Sequence, residues 1–519
     1  MNERATQTTR EVLPQPSRGR LPRWLGWLLA PVLAYVALAA WAFASPIGAG
    51  PDDDFHLVSV WCANGGSEWC APGNEPGTRV LPTGFRDALC YAQHSEVSAA
   101  CQVGQFPSET QDVIETARGN FRGEYPPLYY STMRLFAGTD VQFSALVMRL
   151  FNAALFVGLV TALAALLPGA RRRMLLWGWL VTLVPLGMFL IPSNNPSGWA
   201  ITGVGTAFLA LLGWFESTGR RQWALGAIYV VGVLMAAGAR GDAAVYAIGA
   251  TVTAVILTAM RQRPWMLKAI LPAVGLVVAL IFMSMADQVG VAADGFTGSG
   301  GATIPVAGED GTQAPLSGLG LAAYNLLMLP VLWTGVFGAL GLGWLDTTLP
   351  SIVPWSAGAA FVVVGFAGLG LMTWRKAVSV AGTLAVLVVL PVYVLTAGGD
   401  KVGANLQPRY LLPLIVLFGF LLVFEPAGAR LRFARLQTAV ILGALGIANL
   451  VSLQVNIRRY VTGADQQGPN LDAGAEWWWP GAVVTPMGTW LFGVLAYAAL
   501  LVVLWRSLRR VEILSPTPH

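Results

Sequence analysis

Long apolar runs alternate with short polar turns along most of the chain. Most runs approach the roughly 20 apolar residues that a helix needs to cross the hydrocarbon core of a membrane. These runs predict spanning helices at residues 24–44, 142–168, 174–191, 199–215, 223–239, 243–260, 265–286, 353–373, 377–396, 410–425, 435–453 and 486–506. The pattern therefore predicts an all-α polytopic membrane protein of about twelve transmembrane helices, with a range of about eleven to thirteen.

The composition agrees with this pattern. Of the 519 residues, 55% are hydrophobic and only 11% are charged, whereas soluble domains carry about 25% charged residues. This balance excludes a soluble enzyme. The Arg and Lys residues cluster between apolar runs, as is typical of cytoplasmic turns. We therefore expect membrane lipids, and no nucleic acid, as partners.

The charge distribution predicts the orientation. Basic clusters such as Arg171-Arg172-Arg173 stay in the cytoplasm, which places both termini inside. We expect a disordered cytoplasmic tail at residues 1–20, a transmembrane domain at 21–506 and a second cytoplasmic tail at 507–519. The first apolar run is long and others follow it, so we expect an uncleaved anchor and not a signal peptide. Lys is rare beside Arg, which indicates a GC-rich genome and therefore a bacterial source, so we expect the chain to lie in a bacterial plasma membrane.

One apolar segment, at residues 318–341, conflicts with the charge map. The helix at 265–286 should end outside, and the helix at 353–373 should begin outside because a basic pair follows it. A full crossing between them would reverse that order. We therefore expect residues 287–352 to form a second extracytoplasmic region with a re-entrant or interfacial helix. The alternative is thirteen spans.

The longest polar stretch, residues 46–128, follows the first helix and is predicted to be the first extracytoplasmic loop. It contains eleven acidic and four basic residues, a net charge of −7, and all four cysteines of the chain. An even number of cysteines in one external segment indicates disulfides. Short local closures favour the pairs Cys62–Cys70 and Cys90–Cys101, although other pairings and four free thiols stay open.

The sequence Pro51-Asp52-Asp53-Asp54-Phe55-His56 is the strongest candidate for chemistry. Adjacent carboxylates beside a membrane can supply a general base or ligands for a hard cation. We expect Asp53, Asp52 and His56 to be catalytic, with Asp52 and Asp54 as ligands of an optional divalent cation (Mg, Mn or Ca) and no required cofactor. The alternative is a solvated helix start, where Asp caps exposed N–H groups.

Other polar residues fall at external helix ends under the same map. They are predicted to bind substrate together with Asp54, and comprise Tyr125, Asn195, Arg240, Asp242, Asp346, Gln407, Arg409 and Tyr410. Arg240 and Arg409 break the positive-inside rule, which an anionic ligand such as a lipid phosphate would explain. The alternative is a local ion pair, most plainly Arg240 with Asp242. Arg149 with Asn152 is a polar pair inside an apolar run, where charge usually marks a bundle interior or a function.

Several short elements resemble those of a bacterial family of multi-pass membrane proteins of unassigned function, related to the GT-C superfamily of glycosyltransferases. The resemblance extends from the first to the tenth predicted helix. It rests on Pro51-Asp52-Asp53 with His56, where that family has Pro-Asp-Glu-x-x-His, on Tyr125 with Pro127, on Gly343 through Thr347, and on Gln407, Arg409, Tyr410 and Pro413. Asp53 replaces Glu, and the Asp54-Phe55 pair departs from the family pattern.

This resemblance implies a GT-C-like fold and an extracytoplasmic glycosyltransferase. Such enzymes take a sugar from a polyprenyl-phosphate donor, here for a cell-envelope glycan or lipid acceptor, and use an acidic residue of the first loop. The chain has no Gly-rich phosphate-binding motif with a Lys, in agreement with a donor that needs no nucleotide site. The alternatives are a transporter or flippase of a lipid-linked or sugar substrate, and a non-catalytic scaffold for glycan assembly.

Overall fold

The computed structural model describes residues 23–65, 69–106, 112–286 and 316–513. The predicted N-terminal tail at residues 1–20 lies outside this part of the chain, as does most of the polar start of the predicted second extracytoplasmic region. The last helix continues to Ile513, so residues 507–513, predicted as part of a tail, extend the final helix.

Helices dominate the described residues. In chain order they are α1 (Arg23–Phe43), α2 (Asp53–Trp61), α3 (Gly84–Asp87), α4 (Leu128–Met133), α5 (Val141–Leu166), α6 (Gly169–Leu183), α7 (Leu186–Leu190), α8 (Ser197–Glu216), α9 (Gly219–Ala239), α10 (Gly241–Thr258), α11 (Arg263–Lys268), α12 (Ile270–Ser284), α13 (Gly318–Gly335), α14 (Ile352–Leu369), α15 (Trp374–Gly398), α16 (Pro408–Leu422), α17 (Arg435–Val461) and α18 (Pro486–Ile513). Within this part of the chain, ten helices are long and apolar enough to cross a membrane, and shorter apolar helices lie at Leu28–Phe43 and Pro408–Leu422. The predicted all-α polytopic membrane protein is confirmed.

The helix predicted at 174–191 is split into α6 and α7. The break falls at Pro185, which lacks an N–H group and whose ring cannot continue a regular helix. Val184 before it is extended, with φ −90° and ψ 131°, as expected for a residue that precedes proline. The short α7 then leads into the turn of Asn194 and Asn195, which reaches the candidate site.

Helix α13 packs along the second half of α15 in the opposite direction. The Asn325 side chain donates to the carbonyl of Asp400 (2.9 Å) and accepts from the amide of Val402 (3.0 Å), just beyond the end of α15. Further along α13, Trp333 Nε1 donates to the carbonyl of Leu387 (3.3 Å), near the middle of α15. α13 is long enough to cross a membrane, but it accompanies only half of α15. The re-entrant or interfacial arrangement stays a prediction.

The centre of the bundle is α8, which is buried along its length. It packs closely on α9 because glycines face each other. A Cβ atom on Gly203 would lie 2.5 Å from the backbone nitrogen of Ala236, and one on Gly232 would lie 2.7 Å from that of Ala207. Small residues at this contact let the two backbones touch, which stabilises helix pairs in a membrane.

One end of the bundle is closed by buried cations. Lys376 Nζ donates to the carbonyls of Gly368 (2.7 Å), Leu422 (2.7 Å) and Phe424 (2.9 Å), where α14 and α16 end. Arg173 forms an ion pair with the buried Glu425 beside them. These contacts satisfy the carbonyl groups that a helix leaves unpaired at its C-terminus. The candidate site lies at the other end of α16, about 20 Å away at the rise of an α-helix.

The first loop folds into a small subdomain. Three short antiparallel strands pair in the order β1 (Ala71–Pro72), β2 (Arg79–Pro82) and β3 (Val113–Thr116). Two disulfides join Cys62 to Cys70 and Cys90 to Cys101, with Cα–Cα distances of 5.4 and 6.2 Å. The predicted pairing is confirmed.

The tryptophan cluster Trp477-Trp478-Trp479 packs against this subdomain. Trp477 and Trp479 are buried, and Trp479 Nε1 donates to the carbonyl of Phe43 at the end of α1 (2.8 Å). These two rings therefore pack in the interior and offer no open platform on which a sugar could stack.

Candidate functional site

A buried arginine holds the turn that leads from α1 to the candidate site. Arg149 on α5 is 2% exposed. Its guanidinium donates to the carbonyls of Ala42 (3.1 Å), Ser45 and Pro46 (2.7 Å). The C-terminal carbonyls of a helix attract a cation. The intramembrane charge that the sequence indicated therefore fixes where the first loop leaves the bundle.

The backbone at Asp52 is strained in a way that orients the site. Its φ and ψ are 60° and 23°, in the left-handed region that Asp tolerates better than most residues. This turn directs the carbonyl of Pro51 toward two other segments of the chain. The Pro51 carbonyl accepts hydrogen bonds from Asn195 Nδ2 (2.7 Å) and from Arg409 Nη1 (2.8 Å).

The Asp52 carboxylate lies between two guanidinium groups. Arg409 Nη2 donates to one oxygen, and Arg118 Nη2 lies 3.2 Å from the other. Burial would raise the pKa of Asp52, but the opposite charges, Arg409 foremost, outweigh burial and hold this pKa well below its usual range. The carboxylate is therefore ionised at neutral pH, and 31% of its side chain is exposed.

Asp54 shares Arg118 with Asp52. The Arg118 guanidinium donates to both oxygens of Asp54, through Nε and through Nη2, the latter at 2.9 Å. Arg118 was not predicted from the sequence. The available signal was weak: it is one of four basic residues in a strongly acidic loop.

Asp53 occupies a different environment from its neighbours. It is fully buried, and one oxygen accepts from the backbone N–H of Gly50 (3.0 Å). The other oxygen has no hydrogen-bond partner among the described residues. Burial raises the pKa of Asp53 to about 7, although the charge of Arg149 opposes the rise. Asp53 thus faces the interior, behind the open edge formed by Asp52 and Asp54.

His56 is buried on the same short helix. Its Nδ1 atom lies 2.9 Å from the hydroxyl of Tyr130, and Nε2 has no hydrogen-bond partner in the part of the chain that the structure describes. Burial holds the pKa of His56 well below its usual range, against the opposing effect of Asp52. The ring is therefore neutral at physiological pH, and it packs edge-on against Tyr125 with centroids 5.3 Å apart.

The second arginine of the site pairs locally, as the alternative interpretation of the sequence expected. Arg240 donates to both oxygens of Asp242, at 2.8 and 2.9 Å. Its guanidinium also lies over the ring of Tyr410, 4.7 Å from the centroid, and Arg409 lies 4.9 Å from the same centroid. One tyrosine ring thus contacts both cations.

These contacts join nine of the predicted site residues at one end of the bundle. They are Asp52, Asp54, His56, Tyr125, Asn195, Arg240, Asp242, Arg409 and Tyr410. We refer to the charged members and the shared ring, namely Asp52, Asp54, Arg118, Arg240, Asp242, Arg409 and Tyr410, as the Asp52 cluster. The charges of its three carboxylates and three guanidiniums cancel.

The predicted substrate-binding residue Asp346 lies apart from the Asp52 cluster. It accepts from Arg459 Nη2 (2.8 Å) and from the backbone N–H of Gln93 (3.1 Å). Arg459 also donates to the carbonyls of Tyr91, His94 and Val97, at 2.8, 3.0 and 2.6 Å. We call Asp346, Arg459 and these three carbonyls the Asp346 brace. The remaining candidate, Gln407, borders a narrow crevice beside Pro51 and Arg409.

The geometry does not favour the predicted divalent cation. Among the described residues, no group of three or more His, Cys, Asp or Glu side chains is placed to hold a metal ion. Arg118 and Arg409 already balance the charges of Asp52 and Asp54, and a protein calcium site normally needs six or more oxygen ligands. The described residues therefore show no preformed cage of ligands, and the optional divalent cation stays a prediction.

Comparison with known proteins gives one family. A family model described as a predicted membrane protein (DUF2142) matches residues 35–418, from α1 to α16. This range contains the Asp52 cluster and Asp346, whereas Arg459 lies beyond it. No curated protein and no solved structure matches the chain.

Proposed function

The chain belongs to this family of predicted membrane proteins (DUF2142), and we propose that it is an extracytoplasmic glycosyltransferase of the bacterial plasma membrane, with both termini in the cytoplasm. It would move a sugar from a polyprenyl-phosphate donor to a cell-envelope glycan or lipid acceptor. One observation carries the proposal: a partly exposed carboxylate, Asp52, pairs with a buried arginine, Arg409, at the end of a helix bundle. Glycosyl transfer from a lipid phosphate needs a base and a cation side by side.

Asp52 supplies the base in this proposal. An acceptor hydroxyl attacks the anomeric carbon of the donor, and its proton passes to the Asp52 carboxylate as the new C–O bond forms. A carboxylate of low pKa suffices, because the hydroxyl becomes acidic only as its oxygen bonds to carbon. Attack from the face opposite the leaving group inverts the anomeric centre.

Arg409 supplies the cation for the leaving group. The bond between the anomeric carbon and the phosphate oxygen breaks, and the lipid phosphate takes the electron pair. A guanidinium binds such a phosphate with two hydrogen bonds. In the structure Arg409 is paired with Asp52, so an incoming phosphate would take Arg409 from Asp52 and release the carboxylate as a base. Donor binding would thereby activate the site.

The other residues of the site bind and orient substrate in this scheme. Arg240 shares the Tyr410 ring with Arg409 and adds positive charge near the phosphate. Neutral His56 is buried, so in this scheme it acts from behind the site, where its ring holds Tyr125 in place. Asp53 is buried and, through its bond with Gly50, holds the turn that presents Asp52.

The test is transfer of a labelled sugar from a polyprenyl-phosphate donor in proteoliposomes that contain the full chain. We expect Asp52→Asn to lower the transfer rate by about 10²–10⁴-fold, the usual contribution of a catalytic base. Arg409→Gln should lower it by about 10²–10³-fold, the usual cost of removing one donor that stabilises developing charge. The matched control is Asp112→Asn, an exposed carboxylate of the same loop, which should retain the parental rate.

Two results would contradict this mechanism. Full activity in both Asp52→Asn and Asp53→Asn would exclude both aspartates as the base and so contradict the mechanism. Accumulation of the lipid-linked or free sugar inside sealed vesicles, without a transfer product, would instead support the transporter that the sequence leaves as the alternative.

A further inference from the structure

A cavity of about 490 Å³ lies between α1, α5, α6 and α18, away from the Asp52 cluster. Its walls are almost entirely aliphatic and aromatic. Its volume falls within the range of about 300–1,000 Å³ that is typical of sites for small organic ligands. Nothing in the proposed glycosyl transfer uses it.

The sequence of α1 explains why space is left here. Gly26, Ala30, Ala34 and Ala37 all line the cavity. Their spacing of four, four and three residues places them on one face of the helix. The opposite walls carry larger side chains such as Phe156 and Leu180. A face of small residues opposite large ones leaves a slot parallel to the helices.

The slot is as long as one leaflet of a membrane. Along α1 it is lined from Gly26 to Leu38, and along α6 from Arg172 to Leu183. At the rise of an α-helix these stretches are about 18 and 16 Å long. Half of the hydrocarbon core of a bilayer is about 15 Å thick. The cavity therefore has the length of one lipid chain.

The end of the slot near Arg172 is positively charged. Arg171 pairs with Glu216 and Arg173 with Glu425. Two further guanidiniums lie side by side there, since Arg172 donates to the carbonyl of Leu167 (3.3 Å) and Arg221 to that of Leu166. At this end the four arginines outnumber the two glutamates that pair with Arg171 and Arg173 among the described residues. The triplet Arg171-Arg172-Arg173 also predicts that this end faces the cytoplasm.

The other end of the slot is closed toward the Asp52 cluster. Asn152, one turn before Phe156 on α5, donates to the carbonyl of Ser193 (2.8 Å) and accepts from Trp199 Nε1 (2.9 Å). Arg149 extends this polar layer by one further turn. These polar contacts separate the apolar slot from the Asp52 cluster, so we expect an apolar chain to enter from the basic end.

We propose that this cavity binds one acyl chain of an anionic glycerophospholipid from the cytoplasmic leaflet, with the lipid phosphate against Arg172 and Arg221. The apolar walls and the length of the slot select the chain, and the charge at its mouth selects an anionic headgroup. This lipid site is independent of the glycosyl transfer proposed above.

The test uses the full chain in vesicles of zwitterionic phosphatidylcholine. A trace of phosphatidylglycerol with a photoreactive diazirine at the end of one acyl chain is added, and the labelled peptides are mapped. A phosphatidylcholine and a polyprenyl phosphate with the same diazirine serve as comparison probes. We expect the label on residues such as Phe156 and Leu180, with higher yield from the phosphatidylglycerol than from either comparison probe.

Matched variants distinguish the binding of the acyl chain from the recognition of the lipid headgroup. Ala34→Phe fills the slot, as does Ala164→Phe from the facing wall, and each should lower labelling about tenfold, the effect of losing roughly two buried methylene groups. Val32→Phe, on the exposed face of α1, is the control. Arg172→Gln should remove the preference for the anionic probe while labelling by phosphatidylcholine persists, and Arg506→Gln, exposed on α18, should leave that preference intact.

Three outcomes would overturn the proposal. Label spread over the lipid-facing exterior of the wild-type protein would show that the cavity takes no chain. Equal labelling of the Ala34→Phe, Ala164→Phe and Val32→Phe variants would also show that no acyl chain occupies the cavity. Preferential labelling by the polyprenyl phosphate would identify an isoprenyl chain as the occupant in place of the phospholipid.

Discussion

The Asp52 cluster and the Asp346 brace are both built on a buried arginine that binds an aspartate. They differ in the other partners of that arginine and in the exposure of the aspartate. Arg459 donates hydrogen bonds to three backbone carbonyls and to Asp346, whose side chain is 6% exposed. Arg409 binds Asp52, whose side chain is 31% exposed, and shares the Tyr410 ring with Arg240. Arg459 is tied to three backbone carbonyls, whereas Arg409 donates to one, that of Pro51. We expect the arginine with fewer ties to backbone to exchange its aspartate for a ligand more readily.

The largest expected effect separates the two aspartates by activity. Asp52→Asn should reduce sugar transfer by about 10²–10⁴-fold per folded molecule, and it should also lower thermal stability because the buried Arg409 loses its ionised partner. Asp346→Asn should reduce transfer only in proportion to the loss of folded protein. Transfer rate and the midpoint of thermal unfolding, measured on the same detergent-solubilised samples, check both. If the two variants lost activity equally per folded molecule, the functional distinction between the regions would be wrong.

The next effect separates the two arginines by stability. Arg459→Gln leaves a buried carboxylate and three carbonyls without their cation, which should lower the free energy of unfolding by about 3–5 kcal/mol. Arg409→Gln should cost less, since Arg118 still pairs with the partly exposed Asp52. Unfolding midpoints in one detergent measure the difference. A larger loss for Arg409→Gln would reverse the assignment of brace and cluster.

Removal of a disulfide should show whether the Cys90–Cys101 bond stabilises the Asp346 brace. The bond Cys90–Cys101 closes the segment whose carbonyls bind Arg459, so replacement of both cysteines by serine should destabilise the protein by about 2–4 kcal/mol. The combination with Arg459→Gln should cost less than the sum, because both changes release one segment. The matched control replaces Cys62 and Cys70, whose combination with Arg459→Gln should be additive. Additivity for both pairs would show that the brace and its disulfide act independently.

The smallest effect concerns pH and Asp53. Burial raises the pKa of Asp53 to about 7, whereas in the unfolded chain it is about 3.9. Between these values the native protein holds a proton that the unfolded chain releases. Asp53 should therefore make stability fall as pH rises from about 4 to 7, with no further change above that range. Asp53→Asn cannot ionise and should remove this part of the pH dependence.

Thermal midpoints of the parent and of Asp53→Asn, taken from pH 4 to pH 8, measure that slope. Asp52 works in the opposite direction: its low pKa means that it adds stability which is lost on acidification below about pH 4. Parallel curves for the parent and for Asp53→Asn would show that Asp53 is not the group that titrates.

The sequence predicted the transmembrane helices well because a chain segment inside lipid can adopt few backbone structures. Spans of about 20 apolar residues must be helices, and this places α5, α8, α9 and α15 within a few residues of their observed limits. Local disulfides were also predictable, since all four cysteines fall in one loop. The break at Pro185 was missed because the apolar run continues through it.

The candidate site was predicted only in part. Asp52 was found because three adjacent carboxylates follow the first helix, and Arg240 and Arg409 were found because arginine is unusual at a predicted external helix end. The sequence offers no signal that pairs Arg118 with Asp54, Tyr130 with His56 or Arg459 with Asp346, since each pair joins segments whose register depends on the fold of the first loop. The same limit explains why the sequence did not reveal the contact between Asp346 and Arg459, and the predicted role of Asp346 in substrate binding stays a prediction.

The central claim is that Arg409 exchanges Asp52 for a lipid phosphate. The most direct measurement is a structure of the full chain in a lipid nanodisc with a non-transferable polyprenyl-phosphate sugar analogue. We expect the phosphate within about 3 Å of the Arg409 guanidinium, with Asp52 released from Arg409 and turned toward the anomeric carbon. An intact pair of Arg409 and Asp52, with the phosphate bound elsewhere on the protein, would contradict the mechanism.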